Sequence, residues 1–312
     1  MSIQSLEEEI SKEEERLFNE RDRLKKRLPF KYRWKEYEWA KKFKNSTNRI
    51  NLLTAGNQCS KSSCMISKNI DWATNKALWP RLWKNTPNNF WYFYPSSATA
   101  IGEFQTKWEE LLPMEDYKKR TPYGWTITRE KKAPKCLHFE SGVHIFFKEY
   151  TQKLSHLQAG SVYLMTWDEE LPMHLYDELM MRLQATQGYV QAGFTATIGQ
   201  DFWRLCMEPG ADEEEKLPHA FKQQISLYDC QKYIDGSASP WTDAAISGVI
   251  ATCKDHNEVL KRVYGRFIKD SIGKKYPTFD LKRHFKPHQK APAHWFVYVG
   301  VDIGTGGKKN HP

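Results

Sequence analysis

No stretch of the 312 residues approaches the roughly 20 consecutive apolar positions that a membrane-crossing helix requires, so the sequence offers no bilayer span. The six cysteines, Cys59, Cys64, Cys136, Cys206, Cys230 and Cys253, include no CxxC pair. That pattern excludes a disulfide scaffold and makes the reducing cytoplasm the default compartment. Internal repeats and low-complexity tracts are lacking, and the opening MSIQSLEEEI is no signal peptide. His156, the histidines near positions 284–311 and Cys206 show no metal-ligand spacing, so no zinc is assigned.

What is present describes a folded, basic chain. Hydrophobic residues make up 40% and charged residues 27%, which excludes wholesale disorder. Lys plus Arg number 47 against 38 Asp plus Glu, a formal excess of +9, and there are 12 Trp. A basic, aromatic-rich chain suits a nucleic-acid partner. The length fits one large domain or two ordinary ones.

Residues 1–30 read as a charged helix. Ser5-Leu6-Glu7-Glu8 has the form of a capping box, Leu6, Ile10, Leu17, Leu24 and Leu28 form one narrow apolar stripe, and Pro29 ends it. Such a helix either docks on a partner or lies solvated on its own domain. Beyond it, short apolar runs alternate with helical stretches. Strands are expected at 50–54, 90–94, 162–167 and 193–197, with a β-hairpin of 137–139 and 143–147 turning at Ser141-Gly142. Helices are expected from Lys61 and after Pro95-Ser96-Ser97. Interleaved strands and helices imply an α/β fold with a central, mainly parallel sheet flanked by helices, plus the N-terminal helix. An acidic loop at 209–218 follows, and 280–294 turns basic and Pro-rich, which is linker composition.

Three segments carry chemistry. The run from Asn51 to Ser62 has the shape of a phosphate-binding loop: an apolar strand, a tight turn, then Lys61-Ser62 opening a helix. Backbone N–H groups of Gly56, Asn57, Gln58, Cys59 and Ser60 would cradle phosphate oxygens. Lys61 would reach the outer phosphates and Ser62 would hold Mg²⁺. Ala55 and Ser60 stand where G-x-x-x-x-G-K-[ST] has its glycines. The second segment ends an apolar strand in Trp167-Asp168-Glu169-Glu170, which such an ATPase needs beside its first strand. Asp168 would hold Mg²⁺, and Glu169 would orient and deprotonate the attacking water. An acidic helix start is the plainer reading of the same text. The third is Thr195-Ala196-Thr197, small hydroxyl residues closing a core strand.

Together, in this order, the three segments resemble the large terminase subunit of tailed bacteriophages, the motor that packages DNA into a prohead. The resemblance runs from about Trp34 to the end. Tyr264-Gly265-Arg266, Gly273 and 276–279 resemble the segment preceding that family's nuclease, and 298–304 resembles the nuclease's first strand. The resemblance implies a P-loop ATPase domain over 31–280, then a linker and the first strand of an RNase-H-like nuclease over 281–312. It makes Thr195 and Thr197 the coupling residues and Asp302 a nuclease metal ligand that acts only in a full-length protein. The chain stops ten residues after Asp302, so no cleavage of DNA is expected. It further implies ATP and Mg²⁺ as ligands, with double-stranded DNA, a portal protein and a terminase small subunit as partners. The assembled form would be a homo-oligomeric ring, and the place the host cytoplasm.

Departures from the family pattern set the remaining expectations. The family's adenine-reading Gln is lacking from 32–37, leaving Trp34 or Tyr37 to stack on the base or simply to pack. No Arg lies between Arg129 and Arg182, so Arg182 becomes the candidate transition-state cation in trans, with a local pair to Glu178 as the alternative and Lys153 as the substitute. Lys118-Lys119-Arg120, Lys131-Lys132 with Lys135, Lys261-Arg262 and Lys282-Arg283 are the candidate DNA contacts. Two rivals stand beside the motor: a helicase-type ATPase, and a nucleotide- and DNA-binding assembly subunit disabled at Ser60.

Overall fold

The computed structural model describes residues 3–27, 34–79, 88–114, 119, 122–158, 160–196, 203, 206–207, 217 and 219–267. The chain divides into two compact units, Met1–Lys269 and Asp270–Pro312. The expected linker, the domain boundary at 280, Asp302, Thr197, Lys118, Arg120 and Lys282-Arg283 lie outside the described residues.

In the first unit, helix α1 spans Ile3–Arg27. The described helix includes Ser5 and Leu6 of the expected capping box. Ile10, Leu17 and Phe18 are exposed, and Arg16–Glu13 and Arg23–Glu20 pair one turn apart. Helix α2 (Glu38–Asn45) precedes β1 (Ile50–Ala55), and α3 (Lys61–Thr74) leads to β2 (Asn88–Tyr94). Ser96 caps α4 (Ser97–Glu103) by accepting from the Thr99 N–H, as its sequence suggests. A π-helical segment, Phe104–Trp108, joins α4 to α5 (Glu109–Leu111). Then come β3 (Trp125–Glu130), β4 (Ala133–Phe139), β5 (Val143–Glu149) and β6 (Leu164–Asp168). Helix α6 (Met173–Gln184) connects to β7 (Tyr189–Phe194), followed by β8 (Phe221–Ile225), α7 (Asp243–Thr252) and α8 (His256–Arg262).

The eight strands form one sheet in the order β3-β4-β5-β2-β6-β7-β1-β8. Six are parallel, and β3 and β4 add an antiparallel margin beside β5. The expected hairpin is β4–β5, with Gly142 at φ 87° in its turn. Strands β3 and β8 were not anticipated. Both are edge strands, half wet, and their polar text (Thr126, Thr128, Glu130; Lys222, Gln223, Gln224) hides them from a search for apolar runs. The acidic strand β6 is not adjacent to β1 as expected, because β7 is inserted between them and pairs with both.

Alternation along the central strands separates two cores. Leu164, Phe90, Tyr92, Leu53 and Ala55 face the layer containing α2, α3 and α4. Met165, Trp167, Trp91, Phe93, Val190 and Phe194 face α6 and Trp203. Thr166 follows the first set and receives hydrogen bonds from Asn69 of α3 and Gln191 of β7, each 2.8 Å. By the same period of two, Asp168 at the end of β6 is delivered to the α3 side.

The segment after α8 packs behind β1. Gly265 has φ +61°, and a Cβ there would come within 2.6 Å of the Ala55 Cα and 2.7 Å of the Ile225 carbonyl oxygen. We expect Gly265→Ala to lower stability by about 1–3 kcal/mol through overpacking and an unfavourable φ. Gly248, in mid-α7 with open space around it, should gain about 0.5–1 kcal/mol on replacement by Ala. Urea denaturation of the two variants checks both signs.

Candidate active site

The phosphate-loop segment makes the turn its text suggests, but at some conformational cost. Gln58 (φ 58°) and Ser60 (φ 61°) adopt left-handed backbone, a conformation that costs a non-glycine residue about 1–2 kcal/mol. Ser60 thus occupies the geometry for which a glycine is the usual solution, and α3 starts directly after it. The Gly56 N–H donates to the Ile225 carbonyl (3.2 Å) and the Asn57 N–H to the Arg262 carbonyl (2.9 Å). These two amides brace the loop, which leaves the first-turn amides of α3 as donors for an anion. Gly56 itself has no room for a side chain: a Cβ would lie 2.3 Å from the Arg262 carbonyl oxygen. Cys59 is fully buried. The Cys230 thiol that hydrogen-bonds it, and then the Lys61 charge, hold its own thiol below the ordinary range against the effect of burial. The Cys59 thiol turns back on the loop itself and donates to the Asn57 carbonyl at 3.9 Å.

Lys61 is buried, and its ammonium donates to the Gly56 carbonyl (3.1 Å) and to Thr195 Oγ1 (2.8 Å). The Thr195 N–H donates in turn to Glu169 Oε2 (3.2 Å). Ser62 Oγ donates to Asp168 Oδ1 (3.1 Å), and the Tyr92 hydroxyl donates to Asp168 Oδ2 (3.2 Å). Gly193 of β7 lets α3 approach, since a Cβ would meet Met65 Cε at 2.8 Å. The three segments singled out in the sequence therefore converge on the C-terminal ends of β1, β6 and β7.

Glu169 leaves β6 at φ 69°, a left-handed conformation held by three contacts. Its N–H donates to the Gly193 carbonyl, its carbonyl accepts from the Tyr150 hydroxyl, and its carboxylate takes the Thr195 amide. Burial raises its pKa above the ordinary carboxylate value, with the Lys61 charge opposing. Asp168 is pushed well above its ordinary value by burial first, then by the charges of Glu103 and Glu169.

Glu103, at the end of α4, was not singled out from sequence. One carboxylate oxygen pairs with Lys107 at 2.5 Å, and the other, Oε2, is buried without a hydrogen-bond partner. Tyr92 and Tyr150 were missed as well: Tyr92 lies in an aromatic run and Tyr150 just after β5 among polar residues, and each reveals its hydroxyl's role only in three dimensions. A hard cation fits this cluster. Mg²⁺ takes oxygen ligands at about 2.0–2.1 Å in octahedral array, which sets neighbouring ligand oxygens about 3 Å apart. Ser62 Oγ and Asp168 Oδ1 stand at 3.1 Å, and Glu103 supplies an unsatisfied oxygen close by.

Two expected members lie elsewhere. Trp34 is half-buried with the Lys44 ammonium 5.9 Å from its ring centre, and Lys44 bonds Glu36, Ser67 and Asp71. Ser67 is six residues into α3, about 9 Å along the axis from Lys61. Tyr37 stacks on Tyr233 at 4.7 Å. The aromatic that reaches the loop is Trp241, whose Nε1 donates to the Gln58 carbonyl at 3.4 Å. Arg182 is held by Glu178 (2.8 Å) and the Gln158 carbonyl (2.7 Å), the local pairing weighed as its alternative. Its own carbonyl accepts from Val162 just before β6 begins, so it sits at the opposite end of that strand from Asp168. A cavity of about 320 Å³ lined by Ile50, Gly188 and Val190 also lies at the N-terminal ends of the strands, away from the site.

No family model matches the chain, and no curated protein matches it. Solved structures do. The ATPase domain of the large terminase of Thermus phage P74-26 superposes with a TM-score of 0.55 at 13% identity, covering 79% of this chain and 98% of that domain. The large terminase of a thermophilic bacteriophage, in complex with ADP, superposes with a TM-score of 0.50 at 13% identity, covering 82% of this chain and 59% of the other. The chain thus spans little more than half of that second protein. These likenesses fix the fold: a mixed α/β sheet flanked by helices, as in the terminase ATPase domains.

The raised carboxyls carry a stability consequence. A folded-state pKa above the unfolded one means that the native state binds more protons, so stability falls as pH rises from about 4 through the raised value. We expect the metal-free protein to lose thermal stability over that window. Asp168→Asn should flatten the profile and melt a few degrees higher at neutral pH, as scanning calorimetry across pH would read.

Proposed function

We propose that this chain is the ATP-hydrolysing domain of a viral DNA-packaging motor, a terminase large subunit. The observation that carries the reading is the convergence of Lys61, Ser62, Asp168, Glu169 and Thr195 on one end of the sheet, in contacts of 2.8–3.2 Å. The fold likeness to terminase ATPase domains, one of them solved with ADP, supports it.

The residues divide the work. The first-turn amides of α3 and the Lys61 ammonium receive the phosphates, with Gln58 and Ser60 shaping the turn. Ser62 and Asp168 would hold Mg²⁺, and Glu103 would add a carboxylate beside them. When bound, the ion neutralises charge on the phosphate oxygens. Glu169 takes a proton from the attacking water; burial raises its pKa and so makes it a stronger base than an exposed carboxylate. Thr195 touches both Lys61 and Glu169, so loss of the outer phosphate reaches the base through β7. Trp241, on the Gln58 carbonyl, replaces Trp34 as the aromatic beside the nucleotide. Arg182 drops out of the site within its own chain, and a transition-state arginine would come from a ring neighbour.

DNA would be held through phosphates without base reading. Of the candidate clusters, Lys135 pairs with Glu130 (2.7 Å) and Arg262 with Glu258 (2.7 Å). Lys131 and Lys132 are exposed at the β3–β4 turn and are the basic pair we favour. Portal protein, small subunit, ring assembly and host cytoplasm belong to the same proposal.

Phosphate release measured with and without double-stranded DNA tests it. Glu169→Gln should keep nucleotide affinity and lower turnover by about 10²–10⁴, whereas Lys61→Ala should weaken binding itself. Wild-type turnover in Glu169→Gln would reject the base assignment. Nucleotide binding without any hydrolysis in the wild type would favour the assembly-subunit reading.

A further inference from the structure

The antiparallel margin of the sheet carries a second cluster of chemistry. Strands β4 and β5 pair with His138 opposite His144 and Cys136 opposite Phe146. Because side chains alternate, Cys136 and His138 leave β4 on one face and His144 joins them from β5. The other face of the hairpin, Leu137, Phe139, Val143, Ile145 and Phe147, is committed to the aromatic core. Cys136 is buried, and both histidines are half-buried. His138 Nδ1 lies 3.0 Å from His144 Nδ1 and 3.9 Å from Cys136 Sγ, and the ligand atoms of all three fall within 4.8 Å of one another.

Those separations can be compared with the edges of a tetrahedral zinc site. With Zn–N about 2.0–2.1 Å and Zn–S about 2.3 Å, nitrogen–nitrogen edges are about 3.3 Å and sulfur–nitrogen edges about 3.6 Å. The 3.0 Å and 3.9 Å separations lie within a few tenths of an ångström of these edges, and the remaining Cys136–His144 separation, within 4.8 Å, closes by a rotamer adjustment.

We propose that Cys136, His138 and His144 bind one zinc ion, with the fourth coordination position open to water. One sulfur and two nitrogens from rigid strands suit borderline-soft Zn²⁺ and not the hard Mg²⁺ of the Asp168 cluster. A supporting partner is in place. Thr128 Oγ1 is 3.4 Å from His138 Nε2, so a ring bound through Nδ1 presents its other N–H to a hydroxyl. Binding would displace the Cys136 thiol proton onto solvent. The spacing Cys-x-His-x₅-His escapes a motif search because two strands contribute and the turn sets the gap. The rival reading is a plain N–H···N bond between the two imidazoles.

The test uses the whole chain, stripped with chelator and titrated first with Co²⁺ and then with Zn²⁺. One equivalent of Co²⁺ should bind with a thiolate charge-transfer band and tetrahedral d–d absorption, and Zn²⁺ should bleach both. Cys136→Ser should lose the charge-transfer band. His144→Asn should weaken zinc binding by more than about tenfold, since loss of an outer partner alone costs about 10–100-fold. Asp168→Asn should leave this spectrum unchanged. Absence of the band in wild type, its survival in Cys136→Ser, or unaltered zinc affinity in His144→Asn would each overturn the proposal. The wild-type spectrum decides even if a variant fails to fold.

Discussion

The contact on which the rest of the site depends is the one made by Thr195. Its hydroxyl accepts from Lys61 and its amide donates to Glu169, so one residue at the end of β7 sets the distance between the loop's cation and the carboxylate. That position exists because β7 is slotted between β1 and β6. The buried links from Asn69 and Gln191 to Thr166 lock α3, β6 and β7 into the same register one layer below. The amide N–H donors of Asn69 and Gln191 are satisfied and fix the register of the three elements, while Asn69 Oδ1 and Gln191 Oε1 are buried without a hydrogen-bond partner.

Charge explains why the site is poised. Asp168, Glu169 and Glu103 crowd one buried corner facing Lys61 and Lys107. Burial disfavours their ionised forms, while Lys61 and the Thr195 amide favour the Glu169 carboxylate. A divalent cation would reverse that balance at Asp168, since a bound ion is the largest local charge. Free energy spent on burying carboxylates in the folded chain is thus recovered on ligation.

The central strands and the start of α3 were legible because apolar runs of strand length are bounded there by the polar turns Gly-Asn-Gln and Asp-Glu. The convergence of the three segments was legible through order and resemblance, and the geometry at Lys61, Ser62, Asp168 and Thr195 agrees with it. What escaped was whatever depends on pairing. β3 and β8 are polar at the sheet edges; β7's insertion cannot be read from spacing; and Glu103 sits in an unremarkable helix. Trp34 was drawn to the base by type alone, yet Lys44 and the far half of α3 claim it. Arg182 shows the converse: its text offered a local partner in Glu178, and that pair is formed within the chain, a geometry that bears on its own site and not on a neighbour's.

The two close glycine contacts give the loop a back wall. Gly56 abuts the Arg262 carbonyl, Gly265 abuts Ala55 and Ile225, and Asn57 is tied to Arg262. Leu227 and Gln224 fasten the same segment to the end of β8 through the carbonyls of Val263 and Tyr264. With no side chains between the two backbones, there is no soft layer to absorb a displacement. A shift of a few tenths of an ångström in the loop would press directly on the backbone of residues 262–265, so the two stretches would move as one stiff layer.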